Sequence, residues 1–395
     1  MNDELPIQKA MRLHQAGKLD KARAVYRKIL KRDPESVDAL HYFGVLHFQE
    51  GRVDKAVELL QRALALNPAY PDAHNNLGNM LLRLGRFDEA RQCYETVLEL
   101  APDRLETHNN LGVLLRRLGE PEASRALLEK ALTAAPEWAD AHYNLANTLL
   151  QLGLRDAAMA RYRQAVGLAP KYAVALKRLG ALLYADGRAD EAVAVYQSWL
   201  DIDPDNPIAG HMLAAASGKD VPERSSDAYL AATFDAFADS FDSQLERLGY
   251  QGPELVAGGL RELFDAARRD LVIVDAGCGT GLCGPLLRPL AKRLTGVDLS
   301  RRMLALARER RCYDALVQEE LTGYLRRCTG GLDAVVSADT LIYFGRLEEP
   351  LSAMAGALRA GGGLAFTVEQ NADAQTTYRL EPHGRYSHGR DYLLQ

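Results

Sequence analysis

Residues 274–284 read VDAGCGTGLCG, in which an acidic residue is followed by a glycine at every second position. Glycines at this spacing let a backbone pass close beneath a ligand, because they carry no Cβ and accept positive φ angles. An acidic side chain at the same place accepts hydrogen bonds from a ligand or from N–H groups of the loop. The spacing therefore indicates a site for a nucleotide-like cofactor.

Two cofactors fit this loop in two different registers. GTGLCG satisfies the dinucleotide pattern G-x-G-x-x-G, with Asp298 nineteen residues beyond Gly279. That register leaves Asp275 and Gly277 inside a buried strand, where an unpaired carboxylate is costly. In the other register the strand ends at Asp275 and AGCGTG forms the turn, so that Asp275 faces the ligand or holds the loop. We favour the second register and keep an NAD-dependent oxidoreductase as the weaker alternative.

The second register, D-x-G-x-G-x-G, resembles motif I of the class I S-adenosylmethionine-dependent methyltransferases. The resemblance implies that Asp298, in GVDLS, takes the ribose hydroxyls and that Met303 flanks the adenine. Glu320 with Leu321 stands where the family usually has an Asp beside the adenine amino group. Ala338 is expected to offer its carbonyl to the methionine ammonium. The full set of implied cofactor-binding residues is Asp275, Gly277, Cys278, Gly279, Thr280, Gly281, Asp298, Leu299, Met303, Glu320, Leu321 and Ala338.

The methyl acceptor needs its own side chains, and four residues are candidates. Asp339 and Tyr343, in ADTLIYFG, are interpreted as facing the acceptor, although a helix cap and a core tyrosine are the simpler readings. His388 lies in the polar stretch HGRYSHGRDY and is the preferred candidate base. Arg385 beside it is expected to anchor a carboxylate. No metal is required by this chemistry.

Strand-like runs alternate with helical stretches from Leu271 onward, which predicts a parallel sheet covered on both faces. RRMLALARERR and LEEPLSAMAGALRA are the clearest helices. The predicted strands are LVIVDAG, RLTGVDLS, YDALVQ, LDAVVSAD and GLAFTVE. A full class I sheet has seven strands, so we expect the chain to stop before the last two, with SHGRDYLLQ opening the next helix. That shortening makes the activity of this form an open question.

The first half of the chain is a set of repeats with a period of 34 residues. Gly17, Gly51, Gly85, Gly119, Gly153 and Gly187 follow this step, as do the prolines from Pro34 to Pro204. A small residue on each helix lets the paired helices approach, a glycine ends the first helix, and a proline ends the second. This pattern resembles the tetratricopeptide repeat, with six copies over about residues 3–206, and NPIAGHMLAAASG is expected to close the stack. Such an array is a binding surface.

Three asparagines recur at the sixth position of successive repeats, namely Asn76, Asn110 and Asn144. That position is expected to face the concave groove. In the peptide-binding superhelix of O-linked N-acetylglucosamine transferases, a similar asparagine ladder grips substrate backbone. The simpler reading is that asparagine is common at this position. A protein or peptide partner is the expectation that follows from the ladder.

The composition excludes several classes of protein. A net charge of −5 gives no case for nucleic acid or anionic membrane, and no apolar run reaches the length of a membrane helix. The five cysteines are scattered and form no C-x-x-C pair, so neither a disulfide framework nor a zinc site is indicated. The start of the chain is acidic and mixed rather than a secretory signal. A cytoplasmic protein is expected.

Three segments are predicted: repeats and closing helix over 3–217, a linker over 218–228, and a C-terminally incomplete α/β methyltransferase domain over 229–395. FDAFADSFDSQLERLGYQGPEL and GRYSHGRDYL make the whole resemble the bacterial tetratricopeptide-fused methyltransferases. The leading hypothesis is an S-adenosylmethionine-dependent methyltransferase whose array recruits a protein partner or substrate. The rival is an interaction scaffold with an inactive methyltransferase-like domain.

Overall fold

The computed structural model describes residues 5–238, 241–264 and 268–395. It divides into two compact units, Met1–Ala175 and Leu176–Gln395, so most of the sixth repeat belongs to the second unit. The predicted start of the array at residue 3 lies outside the described residues.

The first unit is built from pairs of helices, as the repeats predict. Each repeat glycine ends the first helix of its pair in the left-handed region, with φ between +69° and +82°. Each repeat proline follows the second helix by two residues. The helices are α1 (Pro6–Gln15), α2 (Leu19–Arg32), α3 (Val37–Gln49), α4 (Val53–Leu66), α5 (Pro71–Arg83), α6 (Phe87–Leu100), α7 (Leu105–Arg117), α8 (Pro121–Ala134), α9 (Ala139–Gln151) and α10 (Arg155–Leu168).

The small residues of the repeat let the two helices of a pair approach closely, which confirms the prediction. A Cβ added to Gly78 on α5 would lie 2.6 Å from the ring of Tyr94 on α6. Ala90 on α6 is completely buried. Any larger side chain at these places would push the helices apart, because protein interiors are close-packed.

The sixth helix pair, α11 (Ala173–Ala185) and α12 (Ala189–Ile202), lies mostly in the second unit, which starts within α11. The predicted closing helix follows as α13 (Pro207–Ser217), capped by the Asn206 side chain and ended by Gly218 at φ +65°. Three helices then precede the sheet: α14 (Asp227–Phe237), α15 (Phe241–Arg247) and α16 (Gly252–Leu263).

The five predicted strands form one parallel sheet in the order β3-β2-β1-β4-β5. Val335 on β4 packs with Leu325 and Met354 on one face, and Ala334 packs with Leu260 and Leu287 on the other. The elements are β1 (Leu271–Ala276), α17 (Gly284–Leu287), β2 (Ala291–Asp298), α18 (Arg301–Glu309), β3 (Ala315–Gln318), α19 (Leu321–Arg327), β4 (Leu332–Ser337), α20 (Glu348–Ala357) and β5 (Leu358–Phe366).

Beyond β5 the chain forms a second, small sheet of β6 (Glu369–Gln370), β7 (Tyr378–Leu380) and β8 (Tyr386–His388), in the order β6-β8-β7. The expectation that SHGRDYLLQ opens a helix is wrong at its start, because Ser387 and His388 pair with strands on both sides. A short helix, α21 (Arg390–Leu393), follows only afterwards.

The stretch predicted as a linker lies against the loop that follows β4. Ser225 is completely buried, and its N–H donates to the carbonyl of Tyr343 at 2.8 Å. The carbonyl of Glu223 accepts from the N–H of Gly345, also at 2.8 Å. These backbone hydrogen bonds fix the position of Arg224, which lies between the two residues.

Candidate functional site

The glycine loop after β1 takes the tight path that its sequence predicts. Gly277, Gly279 and Gly281 have φ angles of +77°, +53° and +84°. A Cβ on Gly277 would lie 2.0 Å from Oγ1 of Thr340. A side chain at this position would therefore be strained and would also collide with the loop after β4.

Asp298, at the carboxyl end of β2, holds this loop in place. Its Oδ2 accepts the N–H of Gly279 at 2.9 Å, and its Oδ1 accepts the N–H of Ser300 at 2.8 Å. Burial raises the pKa of Asp298, and these backbone hydrogen bonds oppose the increase. A carboxylate has about four acceptor positions, and the backbone N–H of Leu299 also donates to this one, so acceptor capacity remains for a ligand hydroxyl.

Asp275 occupies a different place from the one expected. It lies inside β1, is completely buried, and accepts the Tyr313 hydroxyl at Oδ2 over 2.6 Å. Its Oδ1 has no hydrogen-bond partner among the described residues. Burial raises the pKa of Asp275 to about 7. The Asp275 carboxylate therefore neither faces a ligand nor accepts loop N–H groups. Because Asp275 is buried inside β1, the cost of burying it no longer favours the methyltransferase register of the loop over the dinucleotide register.

The hydrogen bonds of the loop's own N–H groups distinguish S-adenosylmethionine from NAD better than the burial of Asp275 does. Those of Gly277 and Cys278 both donate to the carbonyl of Val297, and that of Gly281 donates to Cys278. The N–H of Gly279 is taken by Asp298. A pyrophosphate is normally held by free N–H groups at a glycine turn and helix N-terminus. Because these four N–H groups are already used, they are not available to hold a pyrophosphate.

A cavity opens over the carboxyl ends of the strands, where ligands of such sheets bind. Its floor is the glycine loop and the ends of β2 and β4, and α14 to α16 cover it with apolar side chains. It is lined by Arg224, Leu230, Phe234, Phe241, Leu245, Tyr250, Pro253, Gly277, Cys278, Gly279, Thr280, Leu282, Cys283, Val297, Asp298, Leu299, Glu319, Glu320, Leu321, Ala338, Asp339, Thr340, Ile342, Tyr343, Phe344 and Arg385.

Most of the sequence-predicted residues are brought together around this cavity, and four are not: Asp275, Gly281, Met303 and His388. Gly281 packs beneath the loop, where an added Cβ would meet Tyr313 at 2.9 Å. Met303 is completely buried in the first turn of α18, and its N–H donates to the capping Ser300 hydroxyl. The expected contact of Met303 with adenine is therefore not seen. Leu299, directly after Asp298, is the apolar residue that lines the cavity.

Glu320 lines the cavity but is also the N-cap of α19. Its carboxylate accepts the N–H groups of Thr322 and Gly323 at 3.0 and 2.8 Å. Burial acts to raise the pKa of Glu320, but these hydrogen bonds and the charge of Arg224 outweigh it and leave the pKa lowered. Glu320 is therefore an ionised acid at the cavity wall, and capping alone accounts for its geometry.

Asp339 and Tyr343 both line the cavity on the loop after β4. Asp339 has a φ of +50°, an uncommon backbone conformation for a residue with a side chain. It is held there by Thr367, whose hydroxyl donates to Oδ1 at 2.6 Å and accepts the Asp339 N–H at 2.8 Å. Burial raises the pKa of the Tyr343 phenol, so this hydroxyl is neutral and can donate a hydrogen bond.

His388 does not face the acceptor, which corrects the sequence prediction. It is completely buried, and its Nε2–H is shared between the carbonyls of Phe344 and Gly345, each at 3.0 Å. Burial lowers the pKa of the imidazole. The reason is the pairing of β8 with β6 and β7, which turns His388 inward. A histidine donating to fixed carbonyls holds a loop and is not available as a base.

Two arginines line the cavity, one expected and one that the sequence analysis misses. Arg385 does so as predicted, with its Nε 3.0 Å from the Glu369 carboxylate. Arg224 comes from the predicted linker and lies 2.8 Å from Asp227 and 3.8 Å from Glu320. A linker composition gives no signal for a site residue, and the sequence therefore does not point to Arg224.

The helices above the cavity do more than the packing that their sequence indicates. Phe234 and Phe241 line the cavity, whereas Phe237 is 38% exposed. Asp235 and Asp242 tie the cover to the floor: they accept the hydroxyls of Ser300 and Thr280, both at 2.5 Å. The phenylalanine spacing in FDAFADSF is the available signal for a ligand cover. A helix that packs on a sheet produces the same spacing.

The asparagine ladder forms a regular set of hydrogen bonds inside the first unit. Asn76 donates to Nε2 of His41 at 2.8 Å, and Asn144 donates to Oδ1 of Asn109 at 2.9 Å. Asn110 donates in the same way to Oδ1 of Asn75 at 3.3 Å. Each bond reaches 35 residues back to the preceding repeat, so the ladder joins neighbouring repeats.

The parallel sheet order, the glycine loop and the acid at the end of β2 together define a class I methyltransferase domain. The chain carries tetratricopeptide repeats followed by such a domain. A family model described as "Methyltransferase domain" matches residues 273–362. Models described as "Tetratricopeptide repeat" match residues 13–62, 70–137, 103–171 and 143–207, and one described as "TPR repeat" matches residues 44–85.

Curated relatives match over the methyltransferase half. The malonyl-[acyl-carrier protein] O-methyltransferase of Enterobacter lignolyticus (strain SCF1) is 34% identical over 102 residues, which are 26% of this chain and 40% of the relative. The protein of the same name from Pseudescherichia vulneris is 30% identical over 141 residues, 35% of this chain and 53% of the relative. The chain thus spans about half or less of these relatives.

Solved structures are similar to about half of the chain. Pseudomonas aeruginosa pilF has a TM-score of 0.46 and 24% identity, covering 53% of this chain and 95% of its own. A thermophilic tetratricopeptide protein of Thermus thermophilus has a TM-score of 0.39 and 29% identity, covering 46% of this chain and 98% of its own. Among the described residues, no helix is long and apolar enough to cross a membrane.

Proposed function

We propose that this protein is an S-adenosylmethionine-dependent methyltransferase. The observation that carries the proposal is the cavity in which the glycine loop and the Asp298 carboxylate lie together over the ends of β1 and β2. Gly277 and Gly279 bring the backbone close to the ligand, and the remaining acceptor capacity of Asp298 suits a ribose hydroxyl. The apolar cover, which includes Phe234 and Phe241, suits an adenine ring.

The remaining cavity residues complete the binding of this cofactor. We assign the edge of the base to Glu320 and Leu321, and the methionine ammonium to the carbonyl of Ala338. Cys278, Thr280 and Leu299 line the same space. Four N–H groups of the loop, those of Gly277, Cys278, Gly279 and Gly281, are bonded within the chain, which supports a cofactor without phosphates.

For the acceptor we propose a carboxylate. Arg224 and Arg385 both line the cavity, and guanidinium groups bind carboxylates through paired hydrogen bonds. The named substrate of the curated relatives, malonyl-[acyl-carrier protein], carries such a group. Arg385 would hold the carboxylate, and the neutral hydroxyl of Tyr343 would orient it.

The bound cofactor supplies a methyl group on a sulfonium, so that attack by a carboxylate oxygen breaks the methyl C–S bond and leaves the electron pair on sulfur. A carboxylate is already ionised near neutral pH, and no general base has to act on it. The task of the chain is then to align the acceptor and to exclude water. Asp339 fixes the loop that carries Tyr343 and is the candidate base only for an acceptor that arrives protonated.

An assay of methyl transfer to malonyl-coenzyme A, in which formation of the methyl ester is measured, tests this proposal. We expect transfer by the full chain, and a loss of kcat/KM for the acceptor of at least about tenfold in Arg385→Gln, because a charged hydrogen bond is removed. Arg379→Gln is the matched control. Arg379 lies on β7, which together with β8 forms the hairpin that carries Arg385, but it does not line the cavity. Equal activity of all three proteins would contradict the carboxylate anchor. Binding of S-adenosylmethionine without transfer to any acid would favour the scaffold hypothesis.

We further propose that the repeat array recruits a protein partner or the acceptor's carrier. The donors of Asn76, Asn110 and Asn144 are used between repeats, and an amide nitrogen carries two hydrogens and an amide oxygen two lone pairs. Oδ1 of Asn76 and of Asn144 has no hydrogen-bond partner recorded in the described part of the first unit. An extended peptide backbone offers the matching N–H and C=O groups. The ladder would then serve both cohesion of the array and peptide binding.

A further inference from the structure

Two buried histidines in the second unit make the same kind of hydrogen bond at opposite ends of one hairpin. His211 on α13 donates from Nε2 to the carbonyl of Gly384 at 2.9 Å. His388 on β8 donates from Nε2 to the carbonyls of Phe344 and Gly345. The turn of the hairpin formed by β7 and β8 is therefore bonded to α13. The other end of this hairpin is bonded to the loop that carries Tyr343.

The turn of this hairpin is tight and fixes the backbone of Arg385. The N–H of Gly384 donates to the carbonyl of Glu381, and the N–H of Glu381 donates to that of Arg385, both at 2.8 Å. Gly384 has a φ of +88°. A Cβ at that position would lie 2.6 Å from the hydroxyl of Tyr229 and 3.2 Å from Sδ of Met212. The turn is thus pressed against α13 and α14.

His211 is itself rigidly placed. It is 6% exposed, and its ring stacks on Tyr229 with the centroids 3.9 Å apart. Burial lowers the pKa of His211, which favours the neutral ring with one hydrogen on the nitrogen that faces Gly384. A carbonyl oxygen can only accept, so the direction of this bond is fixed. Loss of the donor would leave a buried carbonyl without its partner.

The two anchored parts are the ones that the proposed acceptor site needs. Arg385 follows Gly384 directly and lines the cavity, and Tyr343 precedes Phe344 and lines it as well. Neither histidine lines the cavity. The cofactor side of the same cavity, made by the glycine loop and Asp298, has no hydrogen bond to the hairpin among the described residues.

We propose that His211, on the closing helix of the repeat array, is a positioning residue for the acceptor side of the methyltransferase cavity, acting through Gly384 on Arg385. The inference rests on the proposed function, since it concerns use of the acceptor at that site. It makes α13 a part of the methyltransferase unit as well as the end of the repeats.

The test compares His211→Leu, which removes the donor, with His211→Gln, whose amide keeps one. With malonyl-coenzyme A as acceptor, we expect His211→Leu to raise the acceptor KM at least about tenfold, with the KM for S-adenosylmethionine unchanged. His211→Gln should recover to within a few-fold of the wild type. Gly384→Ala should reproduce the effect of His211→Leu. The matched control is His142→Leu, because His142 is also buried and donates from Nε2 to a carbonyl, that of Pro136 at 2.8 Å, in the first unit.

A second readout does not depend on the acceptor. Amide hydrogen exchange of residues 378–389 should become faster in His211→Leu and Gly384→Ala. Exchange of residues 271–300 should not change in these two variants. Exchange of residues 378–389 should not change in His142→Leu. Unchanged exchange of residues 378–389 in His211→Leu would overturn the positioning role. An equal increase of the KM for the acceptor and for S-adenosylmethionine would also overturn it. So would an equal increase of the acceptor KM in His211→Leu and His211→Gln. If the wild type transfers no methyl to malonyl-coenzyme A but exchange changes as expected, the acceptor proposal fails and the anchoring of the hairpin by His211 stands.

Discussion

Oδ2 of Asp298 accepts the N–H of Gly279 at 2.9 Å, which joins the end of β2 to the middle of the glycine loop. One carboxylate therefore shapes the loop and presents the remaining acceptor positions to the cavity. The same acid at the cavity wall therefore serves both purposes.

Asp298→Asn removes the charge, and its single amide oxygen can accept from only one of the Gly279 and Ser300 N–H groups. We expect the affinity for S-adenosylmethionine to fall at least about tenfold, because hydrogen bonds to a charged acceptor are worth about 1.5–3 kcal/mol each. Calorimetric titration measures the change. Asp298→Ala should also lower the free energy of unfolding, since the N–H groups of Gly279 and Ser300 lose their acceptor. Unchanged affinity in Asp298→Asn would remove Asp298 from the cofactor site.

Asp275 gives the second unit a dependence on pH. Its pKa is raised from 3.8 to about 7, so between these values the folded state binds the proton that the unfolded chain has lost. The resulting stability is present in full below pH 3.8 and is lost as the pH rises through 7. Between pH 5 and 8 the wild type should lose about 3 kcal/mol relative to Asp275→Asn.

Urea unfolding read from Trp199 in a Trp138→Phe background measures this difference, because Trp199 is buried in the second unit. Parallel pH profiles for the wild type and Asp275→Asn would show that the carboxyl is ionised throughout and that the assigned cause is wrong.

His41 makes the free energy of unfolding of the first unit depend on pH in the opposite direction. It is buried, accepts from Asn76, and its pKa is lowered from 6.5 to about 4 by burial. Between these values the unfolded chain binds more protons, so the free energy of unfolding falls as the pH falls from 6.5 to 4. The expected loss is about 3 kcal/mol. Urea unfolding followed by far-ultraviolet circular dichroism should show it, and His41→Gln should flatten the profile. An equally steep profile for His41→Gln would assign the effect to other groups.

The asparagine ladder predicts a loss of stability in addition to any loss of binding. Changing Asn76, Asn110 and Asn144 to alanine removes the hydrogen bonds between repeats, each worth about 0.5–1.5 kcal/mol. We expect the unfolding free energy to fall by about 2–4 kcal/mol, although alanine is the better helix former. Urea unfolding of the triple variant measures this. A variant as stable as the wild type would show that the amides serve only the groove.

The sequence predicts the parts of this fold whose demands are local. Gly85 and Gly279 need positive φ angles, and only glycine takes them without strain, so the repeat turns and the cofactor loop are visible as spacings. The strands are equally readable from their apolar runs. Asp298 is predictable for the same reason, because it ends such a run.

Residues whose place depends on distant partners escape such reasoning. His211 meets Gly384 across 173 residues of sequence, and no local pattern records that pairing. His388 sits in a polar stretch that suggests chemistry, but strand pairing turns it inward. Met303 shows the limit for helices, since it is buried in the first turn of α18 while Leu299, four residues earlier, lines the cavity.

Calorimetric titration of the full chain with S-adenosylmethionine and, separately, with NAD distinguishes the two cofactors. We expect a one-to-one complex with S-adenosylmethionine that weakens at least about tenfold in Asp298→Asn. We expect much weaker binding of NAD, because the N–H groups of Gly277, Cys278, Gly279 and Gly281 are already bonded within the chain. Binding of NAD without binding of S-adenosylmethionine would contradict the cofactor assignment, as would the absence of binding by either.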